Sequence, residues 1–147
     1  MRIIAGALGG RSLKTVEGPG YRPATAKVRE AIFSMLSSRG VVWSGLRVLD
    51  LFAGSGGIGI EALSRGAGFA VFVEQNPKAA EIIRENLKAT KLEEQALVMN
   101  CDALSALKRL EGKYRFDYIF MDPPYNHELE KSVLTYLAES SLLAEEG

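Results

Sequence analysis

The four residues Asp122-Pro123-Pro124-Tyr125 contain groups that could hold an aromatic amine in place while its nitrogen reacts. The lone pair of such a nitrogen is delocalised into the ring, so the amine is a poor nucleophile until acceptors hold its two hydrogens. The carboxylate of Asp122 and the carbonyl of Pro123 can each accept one hydrogen, and consecutive prolines offer no competing N–H. Tyr125 can stack on a base turned out of its helix, with Pro124 on the same substrate side. The motif predicts group transfer to an exocyclic amine of a base, with Asp122, Pro123 and Tyr125 as catalytic residues; the alternative is a turn around a buried tyrosine.

A glycine-rich loop is the second candidate site. Gly54, Gly56 and Gly59 match the dinucleotide-binding pattern G-x-G-x-x-G, between a predicted strand and a predicted helix. Glycine is needed where a ligand approaches the backbone closely or where φ is positive. We therefore predict that Phe52, Gly54, Ser55 and Gly56 contact a cofactor. The pattern alone also fits an enzyme that binds a nicotinamide dinucleotide.

Two acids at the ends of predicted strands distinguish between these cofactors. Asp50 stands just before the loop, where a carboxylate favours a ligand with a cationic amino group and would repel a pyrophosphate. Glu74, followed by Gln75, stands 15 residues after Gly59 and can accept both ribose hydroxyls of an adenosyl group. Ligands bind at the carboxyl ends of strands in open α/β sheets. These acids predict S-adenosylmethionine as the cofactor and methyl as the transferred group; the alternatives are a helix cap for Asp50 and a solvated strand end for Glu74.

Three further residues have weaker claims on the site. Asp102, followed by Ala103, comes after the third predicted strand. Its carboxylate could accept a hydrogen bond from the adenine amino group, cap the next helix, or do both. We interpret His127, the single histidine, as a solvated residue near a helix start, and Cys101, the single cysteine, as a small core residue. A chain with one histidine and one cysteine is not expected to build a metal site from these residue types, and we predict none.

Composition and charge limit the classes of protein to consider. The 147 residues are 47% hydrophobic and 24% charged, the balance of one ordinary globular domain, without an apolar run long enough to span a membrane. A cytoplasmic location is the default expectation. Residues 1–40 contain seven Lys and Arg against two Glu, whereas the remainder contains 11 basic and 16 acidic side chains. This asymmetry favours contact between the N-terminal segment and phosphate, or it is a chance cluster on a solvated face.

Strands and helices alternate from residue 46 onward, which predicts an α/β class with a mostly parallel, doubly wound sheet. A β-hairpin and a helix are predicted to precede it. We predict one methyltransferase domain over 1–147, with an RNA-facing part at 1–40 and a cofactor-binding core at 46–147. The hairpin pairs 2–6 with 11–15 through Gly9-Gly10. The first predicted helix runs from Thr25 as N-cap to Ser37, with the apolar stripe Val28, Ile32, Met35 and Leu36. The predicted strands are 46–51, 69–74, 95–100 and 116–121, and the other predicted helices run from the glycine loop through Arg65 and over 78–89, 103–110 and 128–140.

The alternation ends at residues 142–147, where another buried strand would be expected. A four-stranded parallel sheet that stopped there would leave an exposed apolar edge. The pattern therefore predicts that C-terminal strands are missing from the chain.

Taken in order, these motifs resemble the bacterial 16S ribosomal RNA guanine-N2 methyltransferase family, which has a Rossmann-like methyltransferase fold. The glycine loop and the proline motif are shared with many methyltransferases, whereas the N-terminal elements are far more selective. The resemblance spans residues 1 to about 143 and is carried by Met1-Arg2-Ile3-Ile4-Ala5-Gly6, Gly10-Arg11, Arg22-Pro23-Ala24-Thr25, Val28-Arg29-Glu30, Asp50-Leu51-Phe52-Ala53-Gly54-Ser55-Gly56, Glu61-Ala62-Leu63-Ser64-Arg65-Gly66 and Asp122-Pro123-Pro124-Tyr125.

The resemblance implies methylation of a guanine amine in small-subunit ribosomal RNA, within a small ribosomal subunit or an assembly intermediate. It also implies that substrate is bound by the N-terminal residues Arg2, Arg11, Arg22, Thr25 and Arg29. From the residues alone, three other functions stay open. They are an adenine-N6 methyltransferase acting on DNA or RNA, a noncatalytic RNA-binding or ribosome-assembly module, and a nicotinamide oxidoreductase.

Overall fold

The computed structural model describes residues 1–16, 26–122 and 127–144. Its central feature is a parallel sheet of four strands in the order β3-β2-β1-β4. The strands are β1 (Arg47–Leu51), β2 (Phe69–Val73), β3 (Ala96–Met99) and β4 (Tyr118–Met121). The helices are α1 (Ala26–Ser38), α2 (Gly57–Ser64), α3 (Pro77–Ala89), α4 (Ala103–Leu110) and α5 (His127–Glu139), with a short 3₁₀ turn at Glu93–Gln95.

The sheet confirms the predicted α/β class and places all four carboxyl ends at one edge. In the register of β2, β1 and β4, Asp50 of β1 lies between Phe72 of β2 and Phe120 of β4. The residues that follow β1, β2 and β4 therefore come together at that edge. This is the edge where open α/β sheets bind ligands.

Two apolar layers cover the two faces of the sheet. Alternate residues of a strand point to opposite faces, so Val48 packs with one layer and Leu49 with the other. Phe33 of α1, Ile60 of α2 and Ile83 of α3 belong to the first layer. Helices α4 and α5 supply the second layer, so helices cover both faces, as predicted for a doubly wound sheet. Among the described residues, no helix is long and apolar enough to cross a membrane.

The predicted and observed boundaries differ most at β4. The prediction began this strand at Phe116, but the ladder with β1 starts at Tyr118. The N–H of Phe116 instead donates to the carbonyl of Leu142 over 2.7 Å, and the N–H of Ala144 donates to the carbonyl of Phe116 over 2.8 Å. Phe116 thus forms a parallel bridge with Leu143 on the outer side of β4. Leu142, next to this bridge, is buried.

The N-terminal hairpin is confirmed as a short antiparallel pairing. Arg2 bridges Ser12, the N–H of Ile3 donates to the carbonyl of Arg11 over 2.9 Å, and the N–H of Gly10 donates back to Ile3 over 2.7 Å. The turn occupies residues 5–10 rather than Gly9-Gly10 alone. Its fit against α2 requires Gly6, because a Cβ at that residue would lie 2.0 Å from the carbonyl oxygen of Ser64.

Helix α1 confirms the predicted helix but turns a different face inward. The apolar pattern placed Val28 and Met35 in the core, yet they are 49% and 48% exposed. Phe33 and Arg29 are buried instead, at 0% and 1% exposure. The predicted stripe was wrong at these two residues because a buried arginine determines which side of α1 faces the protein.

The partner of Arg29 is Glu61 of α2, whose carboxylate has no exposed surface. Oε1 of Glu61 accepts from Arg29 over 3.2 Å and Oε2 accepts from Nε of Arg65 over 3.0 Å. The backbone N–H groups of Ile4 and Ala5 donate to the same carboxylate over 2.8 and 3.0 Å. One acid therefore joins the hairpin, α1 and α2. We call this set of contacts the Glu61 junction.

We expect Glu61→Ala to destabilise the protein by about 3–5 kcal/mol, because it leaves the Arg29 guanidinium buried without a countercharge. The double variant Glu61→Leu/Arg29→Met should recover part of that loss. It removes the buried charge of Arg29 but leaves the N–H groups of Ile4 and Ala5 and the guanidinium of Arg65 without the carboxylate. Denaturant unfolding followed by circular dichroism measures both free energies.

Glu81→Ala is the control for the Glu61 experiment. It removes an ion pair with Arg84 whose side chains are 63% and 48% exposed. Exposed pairs contribute about 0–1 kcal/mol, so the control should change stability little. If Glu61→Ala costs no more than Glu81→Ala, the Glu61 junction does not hold the fold together.

Candidate active site

The carboxyl edge of the sheet brings together three acids from three strands. Asp50 is the penultimate residue of β1, Glu74 follows β2, and Asp122 follows β4. Asp50 and Glu74 are buried, at 4% and 7% exposure, whereas Asp122 is exposed. The edge therefore combines two enclosed carboxylates with one that faces solvent.

Asp50 is held in an environment that disfavours its charge. Its Oδ2 accepts one hydrogen bond, from the N–H of Gly59 in α2, over 3.1 Å. Burial raises the pKa of Asp50 to about 7, the Gly59 hydrogen bond opposes that rise, and the nearby charges of Glu74 and Asp122 add to it. A cation bound at this edge would favour the ionised form of Asp50.

Glu74 links the loops that follow β1 and β2. Its Oε1 accepts from the N–H of Gly54 over 2.9 Å, and its Oε2 accepts from the N–H of Asn76 over 2.9 Å. The alternative of a solvated strand end is therefore wrong, because the side chain is enclosed and hydrogen-bonded. Asn100 stabilises this corner by donating to the carbonyls of Glu74 and Gln75, each over 2.9 Å. The side chain of Gln75 is exposed.

The glycine loop has left-handed backbone at Gly54 and Gly56, with φ of +59° and +85°. Gly56 is the N-cap of α2, and a Cβ there would contact Phe72 and Ile83 at 3.4 Å. A Cβ at Gly54 would meet nothing within 4 Å, so space is open beside the loop backbone. Phe52 also has positive φ, +59°, an unusual conformation for a bulky residue and one often found at functional sites. The open space and the adjacent acids suit a cationic adenosyl cofactor.

Asp102 performs the capping role considered for it. Its two carboxylate oxygens accept from the N–H and the hydroxyl of Ser105, over 2.9 and 2.7 Å. The hydrogen bond from the Ser105 N–H, followed by that from its hydroxyl, lowers the pKa of Asp102. The carboxylate remains exposed, while Ala103 next to it is buried. Contact with adenine stays a prediction for both residues.

Several predicted catalytic and substrate-binding residues fall outside the described residues. These are Arg22, Thr25, Pro123, Pro124 and Tyr125. Asp122 is the described member of the proline motif, and its charge contributes to the raised pKa of Asp50. His127, as interpreted from the sequence, is exposed at the start of α5. Cys101 is only partly buried, at the margin of the core, where burial raises its pKa.

The N-terminal arginines have three different environments. The side chain of Arg2 is exposed, and Arg11 donates to the carbonyl of Ala89 at the end of α3 over 2.8 Å. Arg29 differs from the expectation that it binds substrate, because its guanidinium is buried against Glu61 and donates to the carbonyl of Arg2 over 2.8 Å. We therefore reassign Arg29 as a residue that fixes the N-terminal segment.

Sequence reasoning missed Glu61 and Asn86. It placed Glu61 in a family motif without a role and gave Asn86 none, since both look like ordinary polar residues of helices. Asn86 is 2% exposed and donates to the carbonyl of Ser55 over 3.1 Å. The Ser55 hydroxyl accepts from the N–H of Val16 over 2.7 Å, so this loop residue contacts the N-terminal segment as well as standing at the predicted cofactor site.

The sheet order, the glycine loop and the acids at the strand ends define a Rossmann-like methyltransferase fold. The chain superposes on the Escherichia coli protein yhhF with a TM-score of 0.85 at 35% identity, covering 99% of this chain and 77% of that one. The model of the family described as conserved hypothetical protein 95 matches residues 1–147. The chain belongs to this family.

Several relatives align with the whole chain, and two of them represent the similarity. YlbH of Bacillus subtilis is 47% identical over 151 residues, which cover 100% of this chain and 79% of that protein. Ribosomal RNA small subunit methyltransferase D of Escherichia coli K12 is 36% identical over 147 residues, which cover 100% of this chain and 71% of that protein. The similarity therefore includes the hairpin and α1 as well as the glycine loop and the proline motif.

We expect Asp50→Asn to stabilise the protein above pH 7 while weakening the binding of S-adenosylmethionine. The folded pKa of about 7 lies above the ordinary value of 3.8, so the folded form keeps a proton that the unfolded chain has released. Stability of the wild type therefore falls as pH rises from about 4 to 7. Asparagine does not titrate, and the variant should gain about 1–4 kcal/mol over the wild type at pH 8.5.

Urea unfolding at pH 4.5 and pH 8.5, with calorimetric titration of S-adenosylmethionine, checks this prediction. The advantage of the variant should be much smaller at pH 4.5, where Asp50 of the folded wild type is protonated. Identical pH profiles for the two proteins would show that Asp50 has an ordinary pKa. Undiminished cofactor affinity in the variant would show that its charge does not serve the ligand.

Proposed function

We propose that this protein transfers the methyl group of S-adenosylmethionine to the exocyclic N2 amine of a guanine in small-subunit ribosomal RNA. The observation that carries the proposal is the convergence of Asp50, Glu74 and Asp122 beside the open glycine loop. This arrangement offers acceptors for a cation, for ribose hydroxyls and for an amine at one edge of a sheet.

The proposed cofactor contacts divide among the loop and the strand ends. The carboxylate of Asp50 would attract the cationic amino group at the amino-acid end of S-adenosylmethionine, and Glu74 would accept hydrogen bonds from the ribose hydroxyls. When bound, S-adenosylmethionine supplies an electrophilic methyl group. The contacts with the rest of the cofactor are proposed for Phe52, Gly54, Ser55, Gly56, Gln75, Asp102 and Ala103.

Asp122 is the proposed catalytic acceptor. Its exposed carboxylate can accept one hydrogen of the guanine amine, and the carbonyl of Pro123 is proposed to accept the other. The nitrogen lone pair is then directed at the methyl group, and the new N–C bond forms as the old S–C bond breaks. The nitrogen then releases a proton, which the solvent-exposed Asp122 can pass to water. Holding the reactants in line is the main contribution of such a site.

Ribosomal RNA as the substrate is supported by the names of relatives and by the N-terminal motifs. The relatives from Escherichia coli and Haemophilus influenzae are named ribosomal RNA small subunit methyltransferase D. The substrate segment is proposed to include 1–40, with Arg2, Arg11, Arg22, Thr25 and Pro124 near RNA and Tyr125 stacked on the base. Residues 46–147 would form the cofactor-binding part of the domain. Small ribosomal subunits or their assembly intermediates are the proposed partner, which would place the reaction in the cytoplasm.

We expect Asp122→Asn to lower kcat at least about 100-fold, because the amide has one neutral acceptor oxygen where the carboxylate has two charged ones. The affinity for S-adenosylmethionine should fall less than about threefold, since Asp122 is assigned to the amine rather than to the cofactor. Glu128→Gln, an exposed carboxylate on α5, is the control and should retain wild-type kcat.

The assay measures tritium transfer from S-adenosylmethionine to small subunits from cells that lack the endogenous enzyme, followed by nucleoside analysis. N2-methylguanosine supports the proposal. N6-methyladenosine would identify the adenine alternative, and binding of NAD in place of S-adenosylmethionine would identify an oxidoreductase. A cellular role that survives Asp122→Asn would identify a noncatalytic RNA-binding module.

A further inference from the structure

Asn86 is a buried amide near the C-terminal end of α3, and both its oxygen and its nitrogen are hydrogen-bonded to backbone groups. Its Oδ1 accepts from the N–H of Lys14 over 2.8 Å. Its Nδ2 donates to the carbonyl of Lys14 over 2.9 Å and to the carbonyl of Ser55 over 3.1 Å. One acceptor and two donors thus meet two different segments of the chain.

The two bonds to Lys14 imitate the pairing of neighbouring strands. A single side chain pairs with both the N–H and the carbonyl of one residue, and so determines the register of the N-terminal segment on α3. Two residues later, the N–H of Val16 donates to the hydroxyl of Ser55 over 2.7 Å. The N-terminal segment therefore contacts the glycine loop directly and also through Asn86.

Among the common side chains, asparagine is the one that suits this position. Aspartate has the same shape but lacks both donors, and its charge would face two carbonyl oxygens. Leucine fills a similar volume but leaves a buried carbonyl of Ser55 and partly buried backbone groups of Lys14 without their partner. Glutamine has the required groups on a side chain longer by one methylene, which a packed interior does not accept without displacement.

The two segments that Asn86 joins have different proposed ligands. Ser55 belongs to the loop assigned to S-adenosylmethionine, and Lys14 and Val16 belong to the segment assigned to RNA. In sequence, that segment continues directly towards Arg22 and Thr25. A shift of either segment changes the hydrogen bonds that hold the other.

We infer that Asn86 is a positioning residue that couples the binding of the methyl donor to the binding of RNA. This inference rests on the proposed function. A ligand that fixes the glycine loop fixes Ser55, and through Asn86 and Val16 it fixes the N-terminal segment in the position that receives RNA. Linkage requires the effect to be reciprocal, so RNA should tighten the binding of S-adenosylmethionine by the same factor.

The test compares the affinity for S-adenosylmethionine with and without a small-subunit RNA fragment, measured by calorimetry. We expect RNA to tighten binding about fivefold or more in the wild type, the lower range of typical couplings. Asn86→Asp should reduce that factor to less than about twofold. In steady-state assays it should raise the KM of both substrates more than it lowers kcat, because the reacting groups are untouched.

Thr90→Val is the control for a merely structural effect. Thr90 is buried at the C-cap of the same helix, and its hydroxyl donates to the carbonyls of Asn86 and Leu87 over 2.7 and 3.2 Å. The variant weakens α3 without removing a contact to Lys14 or Ser55, so coupling should persist. Equal loss of coupling in Thr90→Val and Asn86→Asp would overturn the inference.

Ser55→Ala provides a second test if Asn86→Asp does not fold. It removes the acceptor of the Val16 N–H but leaves the backbone carbonyl that Asn86 contacts, so it should reduce the coupling factor partially. Unchanged coupling in Ser55→Ala, or a wild type without coupling, also overturns the inference. Failure of the wild type to methylate RNA would contradict the proposed function. Methyl transfer without coupling between the binding of S-adenosylmethionine and of RNA would contradict this inference alone.

Discussion

The carboxylate of Glu61 is the interaction on which the arrangement of the N-terminal segment depends. A buried carboxylate is tolerated when opposite charges and hydrogen-bond donors surround it. Here the donors come from α1, from α2 and from the backbone at Ile4 and Ala5. The requirement to compensate one charge therefore brings three separate segments to a single point. Because Glu61 lies on the helix that follows the glycine loop, the hairpin is fixed to the element beside the proposed cofactor site.

Asn86 provides a second connection of a different kind. The Glu61 junction contacts residues 4 and 5 from the body of α2, whereas Asn86 and Ser55 contact residues 14 and 16 beside its N-terminus. Two anchors at separate points fix the orientation of the segment as well as its position. The charged anchor contributes mainly to stability. The neutral anchor touches the glycine loop itself and is the one through which a ligand could act.

Local sequence pattern predicted the strands, the helices of the core and the edge where the acids meet. Hydrophobic periodicity depends on nearby residues, and the carboxyl ends of parallel strands lie at one edge of the sheet. The pattern placed Val28 and Met35 inward because the stripe on α1 was interpreted from apolar residues alone. The inward face is instead determined by Arg29, whose partner lies 32 positions away in sequence. The amide of Asn86 reaches Lys14 across 72 positions. Such pairings join residues with no common local pattern, so a single sequence does not reveal them.

The three acids at the carboxyl edge indicate the charge of the ligand on physical grounds alone. Their mutual repulsion and the burial of Asp50 disfavour the ionised state at the pH where most proteins work. An arrangement that served folding alone would gain from asparagine at position 50, which could keep an acceptor for the Gly59 N–H without the charge. The buried charge becomes more favourable when a cation binds at this edge. We therefore expect the edge to bind a cationic ligand better than a pyrophosphate, which favours the proposed sulfonium methyl donor over a nicotinamide dinucleotide on electrostatic grounds.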